Sequence, residues 1–220
     1  MHASSPAALV LALALVVGLG CGIDEDQFTV AVCDTHDFDL LRQATFAEPV
    51  DYLELRQFPF RGPPTIVDAL GDACIAAADP DACAAALQDL STDEGFPDSR
   101  GFEDRQFRDL RALALTRGDE VRALIAPDDV QALLGTIDAP GDAALMALAH
   151  DGSHVLRCDM PAQVGPHADG FVVYTRSRSA CDENNNLLDH VVLVRTDGTV
   201  EGLKREIIDH GWDEPCLITD

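Results

Sequence analysis

The densest run of side-chain oxygens in the chain is "CDENNNLLDH", residues 181–190. Asp182, Asn184, Asn186 and Asp189 follow one another at intervals of two or three residues. Carboxylate and amide oxygens so spaced are a donor set for calcium. The EF-hand pattern is incomplete, because Leu187 stands at the invariant glycine position and Leu193 at the bidentate glutamate position. A polar loop between two strands accounts for the same residues. Calcium through these four side chains is the one cofactor the sequence offers. His150 and His154 are four apart, the spacing of two ligands on one helix face. Gly152 interrupts them, and no Glu follows His150 as in His-Glu-x-x-His. Cys33 with His36, and His154 with Cys158, are close Cys/His pairs that lack the second half a zinc site requires.

Nucleophilic chemistry has little to build on. There is no Gly-x-Ser-x-Gly. Ser153 and His154 are adjacent at the start of an expected strand, so their side chains point apart. With 39 acidic residues some carboxylate pair is inevitable, and none can be singled out for acid–base work. Arg117-Gly118-Asp119 spells an adhesion tripeptide, but the same residues are what a hairpin turn needs. Trp212, the only tryptophan, lies in a C-terminal tail that we expect to pack on a sheet rather than stack on a ligand.

The seven cysteines are Cys21, Cys33, Cys74, Cys83, Cys158, Cys181 and Cys216. Setting Cys21 aside leaves six, which can all pair in an oxidising compartment. In "DACIAAADPDACAAALQDL", Asp79 is a good N-cap and Pro80 suits the first helical position. Cys74 and Cys83 then flank the turn of an αα-hairpin, close enough to bridge; two buried free thiols are the alternative. Cys158 with Cys181, between strands, and Cys33 with Cys216, tying the ends together, complete the expected framework.

Cys21 has a different setting. Ala7 to Gly20 is an apolar run of 14 residues without charge. A membrane span needs about 20 residues, so this length suits the core of a signal peptide. The preceding "MHASSP" contains no Lys or Arg. Gly18-Leu19-Gly20-Cys21 resembles the lipobox of bacterial lipoproteins, with Gly18 at the usual leucine position and Leu19 at a usual small position. The resemblance implies cleavage before Cys21 and lipidation of its thiol. Residues 1–20 are then a signal peptide, 21–27 an acidic tether, and 28–220 a single domain.

The positioning elements follow from pattern and punctuation. "FTVAVC" (28–33) and "DYLELRQF" (51–58) read as strands, and 36–46 as a short helix capped by Thr35. Residues 65–77 and 80–90 read as the two helices of the αα-hairpin. "STDEGFPDSRG" (91–101) is a loop and the best sub-boundary. "LALTRGDEVRALI" reads as a hairpin turning at Arg117–Glu120. Asp128 or Asp129 starts a short helix ended by Gly135, and Asp138 starts another ended near Gly152. Strands follow at "HVLRC", "FVVYTRSRSAC", "HVVLVR" and "TVEGLKREII", the last two joined by an Asp197-Gly198 turn. The expected class is α+β: a helical N-terminal part with an αα-hairpin, then an antiparallel β-meander with two short helices. Gly135-Thr136-Ile137-Asp138-Ala139-Pro140, followed by Ala143, Ala144, Leu145 and Ala147, resembles a segment of uncharacterised exported bacterial lipoproteins, a likeness that implies no activity.

The formal net charge is −24, and Lys204 is the only lysine. Such a surface repels phosphate backbones, so nucleic acid is not an expected partner. The sequence points to a bacterial cell-envelope protein, outside the cytoplasm in periplasm or at the cell surface. Its expected partners are the membrane, through the N-terminal lipid, and an envelope protein or small ligand. A non-catalytic binding or structural role is the first reading. An extracytoplasmic hydrolase using acidic residues and a calcium-dependent binding module are the alternatives.

Overall fold

The computed structural model describes residues 23–58, 64–90, 110–151, 154–178 and 187–209. Its architecture is mostly β, built on two antiparallel sheets. The first contains β1 (Tyr52–Phe58), β2 (Thr65–Gly71), β3 (Leu110–Arg117) and β4 (Glu120–Leu124), in the order β2-β1-β3-β4. Alternation in β1 and β3 decides which face is buried. Leu53 pairs with Leu115 and Leu55 with Leu113, and all four are buried on one side. The β3–β4 hairpin turns at Gly118, as the sequence suggests, with a φ of 54°.

The second sheet contains β5 (Val155–Leu156), β6 (Val164–His167), β7 (Gly170–Arg178), β8 (Leu187–Arg195) and β9 (Val200–Asp209). β5 and β6 pair in succession along one edge of β7, and β8 and β9 follow on its other side. β8 is apolar on both sides, and both sides are covered. Val192 and Val194 join the main core. Val191 joins Val172, Tyr174 and Phe28 in a smaller cluster beneath Ile23, Met160 and Ala162.

The expected helical N-terminal part is corrected by this arrangement. Residues 65–71 are strand β2, paired to β1, and not the first helix of an αα-hairpin. Gly71 (φ 82°) and Cys74 (φ 59°) take left-handed backbone, which stops any helix from running through the Ala-rich stretch after them. Only the second expected helix forms. It is α1 (Pro80–Asp89), with Asp79 Oδ1 accepting from Ala82 N–H at 3.0 Å. The helix expected over 36–46 reduces to a 3-10 turn at Leu41–Gln43, because Asp34 caps a tight turn first by accepting from His36 and Asp37 N–H. The strand expected over 28–33 makes only isolated bridges, Val30 to Val164 and Cys33 to Phe38. Strand β6, with Pro166 on the sheet edge, was not expected. The loop expected over 91–101 lies outside the described residues.

Two disulfides are formed among the described residues. Cys74–Cys83 is as expected, with the Cα atoms 5.8 Å apart. Cys33 pairs with Cys158 at a Cα separation of 5.1 Å, which corrects both expected pairings, Cys158 with Cys181 and Cys33 with Cys216. The fully buried side chain of Gln163 brings these two together. Its Oε1 accepts from Val32 and Cys33 N–H, at 3.0 and 3.3 Å, while its Nε2 donates to Arg157 and Met160 carbonyls. Cys21, Cys181 and Cys216 lie outside the described residues. Disulfides persist in oxidising compartments, and these two indicate an extracytoplasmic location.

Between the sheets lie α2 (Pro127–Leu134) and α3 (Pro140–His150), both starting with proline in the first turn. From Gly141 to Ala149 every residue of α3 is buried. Four alanines in that run keep the helix thin enough to fit. Gly141 is obligatory for a steric reason, since a Cβ there would stand 2.4 Å from the Gln43 carbonyl carbon. The fully buried Asp142 closes the start of the helix. It accepts from Thr45 N–H (2.7 Å), Thr45 Oγ1 (2.9 Å), Ala139 N–H (3.0 Å) and Asp138 N–H (3.2 Å).

Replacing Asp142 by Ala leaves the three backbone N–H donors without this acceptor, at about 1–3 kcal/mol for each one that stays buried. Asp142→Ala is therefore expected to lower the unfolding free energy measured by urea denaturation by several kcal/mol, whereas Asp138→Ala, whose carboxylate accepts from the Thr45 hydroxyl, costs under about 1 kcal/mol. The disulfides predict a second ordering. In the chain-entropy model Cys33→Ser, opening a separation of 125 residues, costs about 5 kcal/mol, and Cys74→Ser, opening 9, costs about 3 kcal/mol. Equilibrium denaturation of the two variants checks this.

Candidate functional site

β8 presents two kinds of polar residue, one on each side of the sheet. Asp189, one of the four residues suggested as calcium ligands, pairs with Arg176 across β7–β8 and is buried. Arg176 Nε donates to its Oδ1 at 2.7 Å and the Tyr174 hydroxyl to its Oδ2 at 2.8 Å; Arg157 Nη1 also donates to Oδ2. Arg157 extends the network to Asp159, 2.7 Å from its Nε, and stacks 5.1 Å from the centre of the Tyr174 ring. Phe28 stacks on the Tyr174 ring with the centroids 5.0 Å apart. Burial alone would raise the Asp189 pKa. The hydrogen bonds from Arg176 and Tyr174 and the two guanidinium charges outweigh it and hold the carboxyl below its ordinary range. Burial, with the bond to Asp189, pushes the Tyr174 hydroxyl up to about 12. The oxygens of Asp189 are thus occupied by cationic donors. Asp182, Asn184 and Asn186 lie outside the described residues. Among the described residues no three His, Cys, Asp or Glu side chains stand together as a metal site.

On the helix side of the sheet His190 sits directly across from Thr175, and His154 enters from the chain just before β5. The two imidazoles stack with centroids 4.4 Å apart, tilted by 34°. Thr175 Oγ1 lies 3.2 Å from His154 Nδ1, and Ser177 Oγ lies 2.8 Å from His190 Nε2. Asp151 Oδ2 is 3.6 Å from His154 Nε2. Alternation produces this set: Thr175 and Ser177 are two apart on β7, and His190 faces them from β8.

These imidazoles form one end of a cleft of about 630 Å³ between the C-terminal end of α3 and the β8–β9 ladder. Ala147, His150 and Asp151 line it from α3; His190, Val192, Val200, Gly202, Leu203 and Arg205 line it from the ladder. Arg205 is opposite His190 in register, and Gly202 is opposite Val192. Lys204 also borders the cleft, but its pairing with Val191 puts its side chain on the opposite face.

The serine and histidine do not form a working nucleophile. Ser177 is 2% exposed, beneath His190, so its hydroxyl is withheld from a substrate. The carboxylate that would orient a base lies beside His154, the wrong imidazole. What the cleft offers is a pocket with a polar, basic end and an apolar remainder. The pair His150 and His154, unremarkable as metal ligands, do converge here. His190, Ser177 and Arg205 carried no motif and could be found only from strand register.

The charge network predicts a pH signature. Asp189 has a lowered folded-state pKa, so its stabilisation is complete above the ordinary carboxylate range, near 3.9, and is lost as pH falls through its lower native value. Asp189→Asn removes the buried carboxylate shared by two guanidinium groups, which among the described residues keep only the exposed Asp159 as a carboxylate partner, and is expected to cost about 3 kcal/mol at pH 7. The gap between parent and variant should narrow as pH falls below 4 in denaturation curves.

Among the described residues no helix is long and apolar enough to cross a membrane. Comparisons of the chain with protein-family models, with curated proteins and with solved structures found no match.

Proposed function

We propose that this chain is an exported cell-envelope protein, anchored through a lipid on Cys21, whose non-catalytic role is to bind a small ligand in the cleft between α3 and the β8–β9 ladder. The carrying observation is the cleft itself, a concavity of small-molecule size with converging imidazoles at one end and an apolar remainder. The location outside the cytoplasm is supported by the two disulfides and by the uncharged run that ends at Cys21. Cysteine parity supports the anchor: with Cys33, Cys74, Cys83 and Cys158 paired, three cysteines remain, an odd number that fits a separate fate for Cys21.

The anchor is tested by Cys21→Ser, expected to shift the protein from the membrane fraction to the soluble fraction, or to leave it unprocessed, with its melting temperature unchanged. Unreduced intact mass should show acyl chains on the parent only and three bridges in both. Membrane association that persists in the variant sinks the lipoprotein reading.

A further inference from the structure

β9 is the edge strand of the second sheet, and among the described residues nothing pairs with its outer side. An edge ten residues long is a template for any other strand unless charge or distortion blunts it. Here the device is distortion. The register with β8 skips Leu203, between Gly202 and Lys204, and Ile208, between Ile207 and Asp209. Two such bulges bend and twist β9, so its outer backbone groups do not form a straight ladder for a partner strand.

Both extra residues are apolar. Leu203, Ile207 and Ile208 are 48%, 47% and 41% exposed. They are three of the five large hydrophobic side chains exposed among the described residues, and the other two, Ile66 and Ile75, lie in or just after β2 of the first sheet. Scattered exposed aliphatic residues are ordinary, but three between positions 203 and 208 make a patch. The bulges argue against an added strand as its occupant. A bilayer interface takes aliphatic side chains without any hydrogen-bond register. Shallow insertion also leaves the unpaired edge groups in the hydrated headgroup layer.

The N-terminal segment brings that surface to this strand. Ile23 N–H donates to Glu206 Oε2 at 3.3 Å. Glu206 stands between Leu203 and Ile207, at most about 10 Å along the strand from each of the three apolar residues. Cys21 is two residues before Ile23, so a lipid on its thiol enters the bilayer beside β9. Three aliphatic side chains hold a surface weakly from free solution. A short tether raises their effective concentration there to the order of millimolar, which lets a weak contact persist. The net charge of −24 opposes approach to an anionic leaflet, so the matching surface is zwitterionic.

We infer that the β9 edge is a membrane-docking face, on which Leu203, Ile207 and Ile208 insert among the headgroups of a zwitterionic bilayer and orient the tethered domain. This goes beyond the anchor and rests on Cys21 being lipidated. The test places the acylated full-length mature protein in phosphatidylcholine nanodiscs that carry a headgroup-nitroxide lipid, and reads methyl relaxation. The methyls of Leu203, Ile207 and Ile208 should be enhanced at least threefold more than those of Ile66 and Ile75, which are equally exposed but outside the second sheet. A triple variant, Leu203→Ser with Ile207→Ser and Ile208→Ser, changes only exposed side chains and should melt like the parent. In it the enhancement at Val200, on the same strand, should fall at least threefold. If Val200 is enhanced as in the parent, the tether alone holds β9 at the bilayer and docking is overturned. Docking is overturned too if Ile66 and Ile75 are enhanced as strongly as β9. The same holds if the β9 methyls show contacts to the Trp212 ring and no enhancement, which makes the chain's own C-terminal segment the occupant. Intact mass of the same sample separates the two readings. Acyl chains without enhancement at β9 refute docking alone, and a mass without acyl chains refutes anchor and docking together.

Discussion

A carboxylate with no access to solvent holds the start of α3. Asp142 ties Thr45 of the N-terminal segment to the 138–139 turn and to the first turn of the helix. Burying a charge is costly unless donors replace the lost water, and four donors converge on this one. With its start fixed there, α3 can pass between the sheets with no exposed face from Gly141 to Ala149. Leu53, Leu113 and Leu124 of one sheet then share a continuous core with Val173, Val192 and Val194 of the other. The cleft depends on the same placement, because its α3 wall is the last turn of that helix.

The second sheet is used on both sides, and each side has a different economy of charge. Toward Phe28 and Met160, charges are buried and mutually satisfied, with two arginines and a tyrosine spending their donors on Asp189. Such a network fixes register, since a one-residue slip of β8 would carry Asp189 to the opposite face and away from Arg176. Toward α3 the polar groups are imidazoles and hydroxyls at the edge of a concavity. Satisfied charge on one side holds β7 and β8 in the register that places His190 opposite Thr175 on the other.

Much of the C-terminal half was legible from residues. The Arg117–Glu120 and Asp197-Gly198 turns, the presence of two short helices and the strands around "HVVLVR" follow from local chemistry, although the helices start at Pro127 and Pro140 and not at the expected aspartates. The N-terminal half was misread where tertiary pairing overrides propensity. "TIVDALGDACIAAA" is rich in helix formers, yet β1 offers it a ladder, and Gly71 and Cys74 turn it sharply. The Cys33–Cys158 pairing was invisible because Gln163, the residue that brings the two together, has no signature in sequence. The cleft was legible only in part. The spacing of His150 and His154 drew attention for metal chemistry, while His190 and Arg205 come together through a register that a bulge at Val191–Val192 sets.

The docking of the N-terminal segment has a mechanical consequence. Ile23 N–H already donates to Glu206 of β9, Glu25–Gln27 is a 3-10 turn, and Gly165 lies against the Gln27 carbonyl. The chain is therefore committed to the domain two residues after Cys21, a reach of only about 7 Å even when fully extended. On the proposed Cys21 anchor, a domain held on so short a leash would not sample a wide volume above a bilayer, and its anchored flank would sit within about one Debye length, roughly 8 Å at physiological salt, of the headgroups. On an anionic leaflet, repulsion at that range would act as a torque on the acidic domain.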